Sequence, residues 1–199
     1  MCNAFNTAKN PDKGRLEFPS EPKETRLIRR TDEAPVVMPS GELVEMRWGF
    51  RRKNLGVVNN TRSDNLESPM WREAIAERRC LVPVVSYYEW TGPKGGKETH
   101  LFRSPREEWL WAAGIWEETA ELGRCFSMLT TEANELVKPI HHRMPALLTK
   151  EEQEVFLKEG LERFAPAPGI LVTERAANPL VKPAKKKAGP IQGDLFESD

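Results

Sequence analysis

Short stretches in which apolar and polar residues alternate dominate the chain, and they predict a protein built mainly from β-strands. The strongest strand signal is 80–90 (CLVPVVSYYEW), because this segment is rich in β-branched and aromatic residues. The segment 43–50 (LVEMRWGF) alternates well enough to predict another strand. The same reasoning predicts further strands at 101–103, 109–116, 126–129 and 146–148.

Three short helices are predicted between these strands. Ser68 as N-cap and Pro69 at the first helical position mark the start of a helix that runs to residue 79. A second helix is predicted for 131–137. Thr149 and Glu152 have the spacing of a capping box, which predicts a third helix that continues to residue 161.

The segments 8–33 and 51–67 are polar and are predicted to be loops. Many short strands with a few helices between them are typical of an α+β fold. We therefore expect a curled, barrel-like antiparallel β-sheet with short helices packed on its outside. This domain is expected to cover residues 2–175.

Residues 176–199 are rich in Pro, Ala and Lys and then acidic, so they are predicted to form a flexible tail. The chain has 30 basic and 30 acidic residues, so its overall charge indicates no polyanionic partner. It contains no apolar run near the roughly 18 residues of a membrane span. It also lacks a signal-peptide stretch, so we expect a cytoplasmic protein.

The three cysteines lie far apart and form no CxxC pair, which disfavours a disulfide framework and a zinc ribbon. Cys80 and Cys125 lie among apolar residues and are predicted to be buried in strands. Only His100 and the scattered cysteines could complete a zinc site around the His141–His142 pair, so no metal and no cofactor are expected.

Cys2 follows Met1 directly, which makes it the most informative residue of the chain. Removal of Met1 by methionine aminopeptidase would leave a thiol and a free α-amine on neighbouring carbons. Such a 1,2-aminothiol condenses with an aldehyde to a thiazolidine, because an α-amine with a pKa of about 8 is partly neutral and a thiolate is a strong nucleophile. The alternative is an ordinary small apolar residue at a frayed terminus.

Two other residues, Glu89 and His141, are candidates for proton transfer. Glu89 lies in the apolar strand between Tyr88 and Trp90, where burial would raise the pKa of a carboxyl group and suit it to acid–base work. The alternative is a strand-end glutamate that faces water. His141 can move protons near neutral pH, or it can be a structural histidine.

Three polar residues and two tryptophans are candidates for contacts with a nucleic acid. Arg62 and Arg143 are cations suited to phosphate, and Asn60 could hold a nucleophile by hydrogen bonding. The alternative for Asn60 and Arg62 is a solvated turn. Most tryptophans are expected in the core, but Trp48 and Trp90 could stack on nucleobases.

Five sequence elements, in this order, resemble the SRAP family, the SOS response-associated peptidase domains that cross-link abasic DNA. The resemblance runs from residue 2 to about residue 180, and its elements are Cys2, MRWGF (46–50), NTRSD (60–64), RRCLVPVVSYYEW (78–90) and IHHRMP (140–145).

The resemblance implies a partner and a chemistry. The partner is single-stranded DNA with abasic sites, whose ring-opened aldehyde Cys2 would capture as a thiazolidine after loss of Met1. Asn60 would position the Cys2 backbone, while Glu89 and His141 would move protons. Such an enzyme is largely consumed by its own reaction, and it could also remove Met1 itself. We expect it to act as a monomer associated with the nucleoid.

The resemblance also implies contacts with DNA and shows three departures. Arg62 and Arg143 would grip the phosphates that flank the lesion. The family usually opens Met-Cys-Gly-Arg, whereas this chain has Asn3 and Ala4, so one DNA contact is missing. The segment between MRWGF and NTRSD is short, and the Asn-rich end of the domain is only faintly present as AANPL.

The tail segment 191–196 (IQGDLF) resembles the motif that binds the bacterial sliding clamp. Gln192 would be the anchor, and Leu195 with Phe196 would fill a pocket on the clamp. The segment 185–187 (KKK) could instead touch the DNA backbone.

Two other functions compete with abasic-site capture at this point. Class II glutamine amidotransferases also begin Met-Cys, so an N-terminal-nucleophile amidohydrolase is one alternative. A non-catalytic module that binds single-stranded DNA is the other.

Overall fold

A computed structural model describes residues 2–9, 24–93, 96–106, 109–165 and 169–181 of the chain. Within these residues the strands are β1 Ala4–Ala8, β2 Thr25–Arg29, β3 Glu33–Val37, β4 Leu43–Trp48, β5 Phe50–Arg52, β6 Gly56–Val58, β7 Asn60–Arg62, β8 Arg79–Val84, β9 Ser86–Thr91, β10 Glu98–Arg103, β11 Leu110–Thr119, β12 Gly123–Glu132, β13 Arg143–Pro145 and β14 Val172–Ala176. The helices are α1 Arg72–Glu77 and α2 Lys150–Lys158, and a single 3-10 turn covers Ser63–Asn65.

Five strands close into a ring in the order β11, β8, β3, β4 and β12, because β12 pairs again with β11. The pairings in this ring are antiparallel except between β12 and β4. The short strands β7 and β13 attach to β12. The predicted α+β class and the barrel-like antiparallel core are therefore confirmed.

A second, antiparallel sheet lies beside this barrel in the order β14, β10, β9, β1 and β2. The chain passes into it directly, since β8 ends at Val84 and β9 begins at Ser86. In β9, Tyr87 and Glu89 are buried while Tyr88 and Trp90 are partly exposed. This alternation is the period of two that a strand with one buried face requires.

Both sheets contribute to one apolar core. Cys2 and Phe5 at the start of the chain pack in the same buried cluster as Trp48 of the barrel and Tyr87 of the second sheet. The beginning of the chain is therefore part of the core rather than a frayed end. Cys80 in β8 and Cys125 in β12 are also buried, as the sequence predicted.

The helix predicted for 131–137 is absent, and this prediction was wrong. Strand β12 instead continues to Glu132, where Thr131 pairs with Met144 of β13. Residues 135–140 form turns, and the Asn134 side chain accepts a hydrogen bond from the Val137 amide at 3.0 Å. An asparagine side chain that accepts from a backbone amide three residues further along favours a turn over a helix interior.

The other two helices are shorter than predicted. In α1 the N-cap is Trp71, not Ser68, and its side chain makes no capping bond. In α2 the capping box is present: the Thr149 hydroxyl accepts from the Glu152 amide, and the Glu152 carboxylate accepts from the Thr149 amide.

Part of the predicted loop at 51–67 is a β-hairpin made by β5 and β6. Gly49 allows the turn into this hairpin, because its φ is +128° and a Cβ there would lie 2.5 Å from Val57 Cγ1. The predicted loop at 8–33 likewise contains strand β2, and β3 begins at its last residue, although residues 10–23 lie outside the described residues.

Strand β14 ends at Ala176, next to the predicted start of the tail. The described part of the chain ends at residue 181, so the clamp-like segment 191–196 with Gln192, Leu195 and Phe196 lies outside it.

Candidate active site around Cys2

Cys2 lies just before β1 and is almost completely buried, with 1% of its surface exposed. Two side-chain amides donate to its carbonyl oxygen: Asn60 Nδ2 at 2.7 Å and Asn59 Nδ2 at 3.2 Å. The thiol itself lies 3.2 Å from the Ala4 carbonyl oxygen. These contacts fix the start of the chain inside the core by its backbone.

The surroundings of Cys2 keep its sulfur protonated. Burial raises the pKa of the thiol above its ordinary value, and the negative charge of Glu89 raises it further. The backbone of Ala4, the charge of the amino terminus and the backbone of Tyr88 act in the opposite direction but are weaker. Because the thiolate is the nucleophile, a base must take this proton before the sulfur can react.

Glu89 of β9 is the candidate for that base, because its charge acts directly on the thiol. Only 2% of its surface is exposed, and burial raises the pKa of its carboxyl group to about 7. The charge of the amino terminus and a hydrogen bond with it partly oppose this rise. At neutral pH both forms of the carboxyl group are populated, so Glu89 is suited both to donate and to accept a proton.

His141 follows the turns after β12 and is half-buried. Its Nδ1 lies 3.0 Å from both the amide nitrogen and the carbonyl oxygen of Arg143. The amide donates to Nδ1 when that nitrogen is unprotonated, and a protonated Nδ1 donates to the carbonyl, so either state of the ring has a backbone partner. Burial lowers the pKa of His141, and the charge of the amino terminus lowers it further.

One carboxylate joins the two arginines that were predicted to bind phosphate. Asp64 accepts two hydrogen bonds from Arg62, at 2.9 and 2.6 Å, and one from Arg143 at 3.4 Å. The hydrogen bond from Arg62 and the charge of Arg143 lower the pKa of Asp64 to about 2. Arg62 is exposed, whereas Arg143 is buried and also donates to the Thr130 carbonyl.

A cavity of about 270 Å³ opens beside this cluster. It is lined by Ser63, Asp64, Thr131, Glu132, Arg143, Glu162, Arg163 and Phe164. The Arg143–Asp64 pair therefore borders a space that a polar group can enter.

The two candidate tryptophans have different environments. Trp90 is partly exposed and lies against Tyr88, with ring centroids 6.4 Å apart. Trp48, in contrast, is completely buried; its ring meets Phe5 edge-on at 4.8 Å, and its Nε1 donates to the Asn59 carbonyl at 2.8 Å. The expectation that Trp48 stacks on a nucleobase is corrected: it supports the core beneath Cys2.

Asn59 is a site residue that the sequence reasoning missed. It donates to Cys2 through its side chain, and its carbonyl accepts from both Trp48 and Met128. The Asn59–Asn60 doublet was the available signal, but only the contact across the chain shows that both amides reach the same oxygen. Tyr87 was also missed, although its buried ring belongs to the same cluster as Cys2.

Nothing in the described part of the chain brings three His, Cys, Asp or Glu side chains close enough to hold a metal ion. Among the same residues, no helix has the length and apolar character needed to cross a membrane.

Comparison with known proteins shows which family and which relatives the chain is similar to. The family model of the SOS response associated peptidase (SRAP) matches residues 1–182. The abasic site processing protein YoqW of Bacillus subtilis (strain 168) is 30% identical over 131 residues, which cover 59% of this chain and 58% of that protein. The abasic site processing protein HMCES of Gallus gallus is 30% identical over 170 residues, covering 64% of this chain and 51% of that protein.

Solved structures share the fold. A protein from Bacteroides thetaiotaomicron has a TM-score of 0.66 and 27% identity, with 76% of this chain and 78% of that chain covered. A protein from Bordetella bronchiseptica has a TM-score of 0.72 and 18% identity, with 89% of this chain and all of that chain (100%) covered. The second likeness shows the fold alone.

Proposed function

Because the chain belongs to the SOS response associated peptidase (SRAP) family, we propose that it captures abasic sites in single-stranded DNA as a covalent thiazolidine on Cys2. Two relatives are named abasic site processing proteins, and the chain spans little more than half of their length. The main support within the molecule is a cysteine whose carbonyl is held by two asparagines beside a buried glutamate with a raised pKa.

The first step is loss of Met1 by hydrolysis, through an aminopeptidase or through the protein itself. The amine of Cys2 then adds to the C1′ aldehyde of the ring-opened sugar, and loss of one water gives an imine. The sulfur adds to the carbon of the protonated imine while the thiol proton passes to Glu89, which closes the five-membered ring and leaves its nitrogen neutral. The sum of aldehyde and aminothiol is thiazolidine plus water.

Several steps of this reaction require the transfer of a proton. Glu89 in its protonated form donates to the departing hydroxyl group, and as a carboxylate it takes the proton of the Cys2 thiol. His141 protonates the sugar oxygen during ring opening. The pKa of about 7 at Glu89 supports this double use, because neither form is costly to reach at neutral pH.

The asparagines hold the reactants without taking part in bond making. Both amides grip the Cys2 carbonyl, so the amine and the sulfur stay unblocked. Asn60 Oδ1 is buried and has no hydrogen-bond partner among the described residues. It is therefore an acceptor for the amine that removal of Met1 would free.

Phosphate binding is the proposed role of Arg62 and Arg143. A DNA phosphate would take over the hydrogen bonds that Asp64 now accepts from both guanidinium groups. Trp90, partly exposed at the end of the same strand as Glu89, is the proposed stacking surface for a neighbouring base.

The test is a denaturing gel after incubation with single-stranded DNA that carries one abasic site. We expect an adduct whose mass is that of the des-Met1 protein plus the oligonucleotide minus one water. Cys2→Ala should abolish the stable adduct, and Cys125→Ala is the matched control because that cysteine is buried in β12. Cys2→Ser should leave only an imine, visible after borohydride reduction.

Retention of Met1 in the cross-linked protein, shown by mass spectrometry, would refute the mechanism. An unchanged adduct yield with Cys2→Ala would do the same.

The tail supplies a further proposed partner, the bacterial sliding clamp, through Gln192, Leu195 and Phe196. Deletion of residues 191–199 should remove the clamp from a pull-down and leave the adduct yield unchanged. Equal recovery of the clamp with and without these residues would contradict this assignment.

A further inference from the structure

Tyr87 of β9 carries a buried hydroxyl group that the mechanism has not used. The residue is completely buried, and its hydroxyl has no hydrogen-bond partner among the residues that the structure describes. Its ring is held by Phe102, whose ring stacks on it with centroids 4.9 Å apart and planes inclined by 12°. A buried hydroxyl without a partner costs stability, which calls for an explanation in function.

The position of Tyr87 in the second sheet places its side chain beside the candidate active site. Tyr87 and Glu89 are two residues apart on β9, so their side chains point to the same face of the sheet, and both are buried. On the neighbouring strand β1, Phe5 lies directly opposite Tyr87, and Cys2 precedes Phe5 by three residues. Cys2, Phe5 and Tyr87 belong to one buried cluster. The hydroxyl group therefore lies on the face that carries Glu89 and in the cluster that contains Cys2.

The charges of the active site act on the Tyr87 hydroxyl. Burial raises the pKa of Tyr87 well above its ordinary value, and negative charges on Cys2 and on Glu89 raise it further. Because these influences stabilise the protonated form, Tyr87 keeps its proton and is suited to donate a hydrogen bond rather than to act as a base. The Cys2 thiol lies against the Ala4 carbonyl oxygen, and a neutral thiol is only a weak acceptor. The need for a donor arises when the sulfur becomes negative.

Ring closure places negative charge on the sulfur. In the proposed mechanism Glu89 takes the thiol proton while the sulfur adds to the imine carbon, so charge moves from the carboxylate to the sulfur in the transition state. Burial opposes this charge, since it raises the pKa of the Cys2 thiol. A donor that is already fixed in the core stabilises such a developing charge without a cost of reorganisation.

We propose that the Tyr87 hydroxyl donates a hydrogen bond to the Cys2 sulfur in the transition state of ring closure. This inference rests on the proposed function, in which that sulfur closes a thiazolidine. Tyr87 loses no proton in this step. The thiol proton goes to Glu89, the bond between sulfur and carbon forms, and the electron pair of the C=N double bond moves to the nitrogen of the protonated imine.

The experiment separates imine formation from ring closure. Protein that has lost Met1 is mixed with an excess of single-stranded DNA that carries one abasic site, and samples are denatured at successive times with and without borohydride. Borohydride makes the imine permanent, so the two series together give the amounts of imine and of thiazolidine. For Tyr87→Phe we expect an unchanged rate of imine formation, ring closure at least about tenfold slower, and a transient accumulation of imine.

Tyr88→Phe is the matched control. It removes a hydroxyl group of the neighbouring residue on the opposite face of β9, where this hydroxyl accepts a hydrogen bond from Asn6 Nδ2 at 3.1 Å. Both rates of Tyr88→Phe should stay within about twofold of the wild type, which is within the effect of a partly exposed hydrogen bond.

A second measurement changes the strength of the donor and keeps the hydroxyl group. The chain contains 2 tyrosines, so 3-fluorotyrosine incorporated into the Tyr88→Phe variant labels Tyr87 alone. Fluorine makes the hydroxyl more acidic and therefore a stronger donor. Ring closure should then be faster than in Tyr88→Phe with ordinary tyrosine, while the rate of imine formation stays the same.

A packing role predicts a different pattern. Tyr87→Phe keeps the ring that stacks on Phe102. Loss of a structural contact would lower thermal stability and would slow imine formation and ring closure together. A functional donor predicts that Tyr87→Phe is at least as stable as the wild type and yet closes the ring more slowly.

Failure of this inference is distinguishable from failure of the proposed function. If Tyr87→Phe closes the ring at the wild-type rate, slows both steps equally, or if 3-fluorotyrosine does not accelerate ring closure, the donor role of Tyr87 is wrong. An adduct that still requires Cys2 then leaves the proposed function standing. If the wild-type protein forms no adduct, both are wrong.

Discussion

Replacement of Glu89 by glutamine tests the electrostatic cost of the buried carboxyl group. Glutamine has nearly the shape of a protonated glutamate but cannot ionise. In the folded protein burial raises the pKa of Glu89 from 4.5 to about 7. Between these values the folded state holds a proton that the unfolded state has lost, so the stability of the wild type must fall as pH rises.

The size of the stability change follows from the pKa shift of Glu89. The difference between 4.5 and about 7, at 1.36 kcal/mol per pKa unit, corresponds to about 3 kcal/mol once Glu89 is fully ionised. No discount for solvent screening applies, since 2% of the residue is exposed. Relative to the wild type, Glu89→Gln should therefore gain about 3 kcal/mol in free energy of unfolding at pH 8 and less than about 1 kcal/mol at pH 5.

Urea unfolding of both proteins at pH 5, 6, 7 and 8 measures this difference. Glu118→Gln is the control, because Glu118 is an exposed residue of the barrel strand β11. The adduct yield of Glu89→Gln should fall at every pH, since the variant retains no base for the Cys2 thiol. Stability curves of Glu89→Gln and wild type that run parallel across this pH range would refute the reasoning.

Three further predictions concern single side chains. Tyr87→Phe removes a buried hydroxyl that has no hydrogen-bond partner among the described residues. It should raise the free energy of unfolding by about 1 kcal/mol in urea titrations. A decrease in the free energy of unfolding by more than about 1 kcal/mol would show that the hydroxyl has a hydrogen-bond partner. Asp64→Asn removes the negative charge between Arg62 and Arg143. Fluorescence anisotropy should therefore show at least threefold tighter binding of abasic DNA at low salt and a steeper salt dependence. Weaker binding would contradict phosphate contacts of Arg62 and Arg143. Thr149→Ala removes the cap of α2 and should cost about 1 kcal/mol by thermal unfolding, whereas an unchanged melting temperature would mean that tertiary packing alone holds the helix.

Local patterns predicted the parts of the fold that depend on local physics. The β-branched and aromatic residues of 80–90 located β8 and β9, and the buried Glu89 of β9 was one of the two environments that the sequence allowed. Thr149 and Glu152 predicted the capping box because both bonds join residues three apart. The closing of the barrel, in contrast, depends on the pairing of β11 with β12 and of β4 with β12, which no short window of sequence encodes.

The errors have identifiable physical causes. The segment 131–137 contains good helix formers, but Thr131 and Glu132 extend β12 by pairing with β13, and Asn134 then starts a turn. Trp48 was expected to be able to stack on a nucleobase, which would require an exposed ring, but the ring is completely buried. Its indole is instead satisfied by the Asn59 carbonyl, a contact across eleven positions that the sequence does not show.

The closed ring of β11, β8, β3, β4 and β12 has a consequence for behaviour at high concentration. Each of these strands has a neighbour on both sides within the ring, so none of them offers a free row of amides and carbonyls to a second molecule. In the second sheet the two border strands are β2 and β14, where Arg26, Arg29, Glu174 and Arg175 place charges. Charged border strands repel further strand addition, so the second sheet should resist edge-to-edge aggregation.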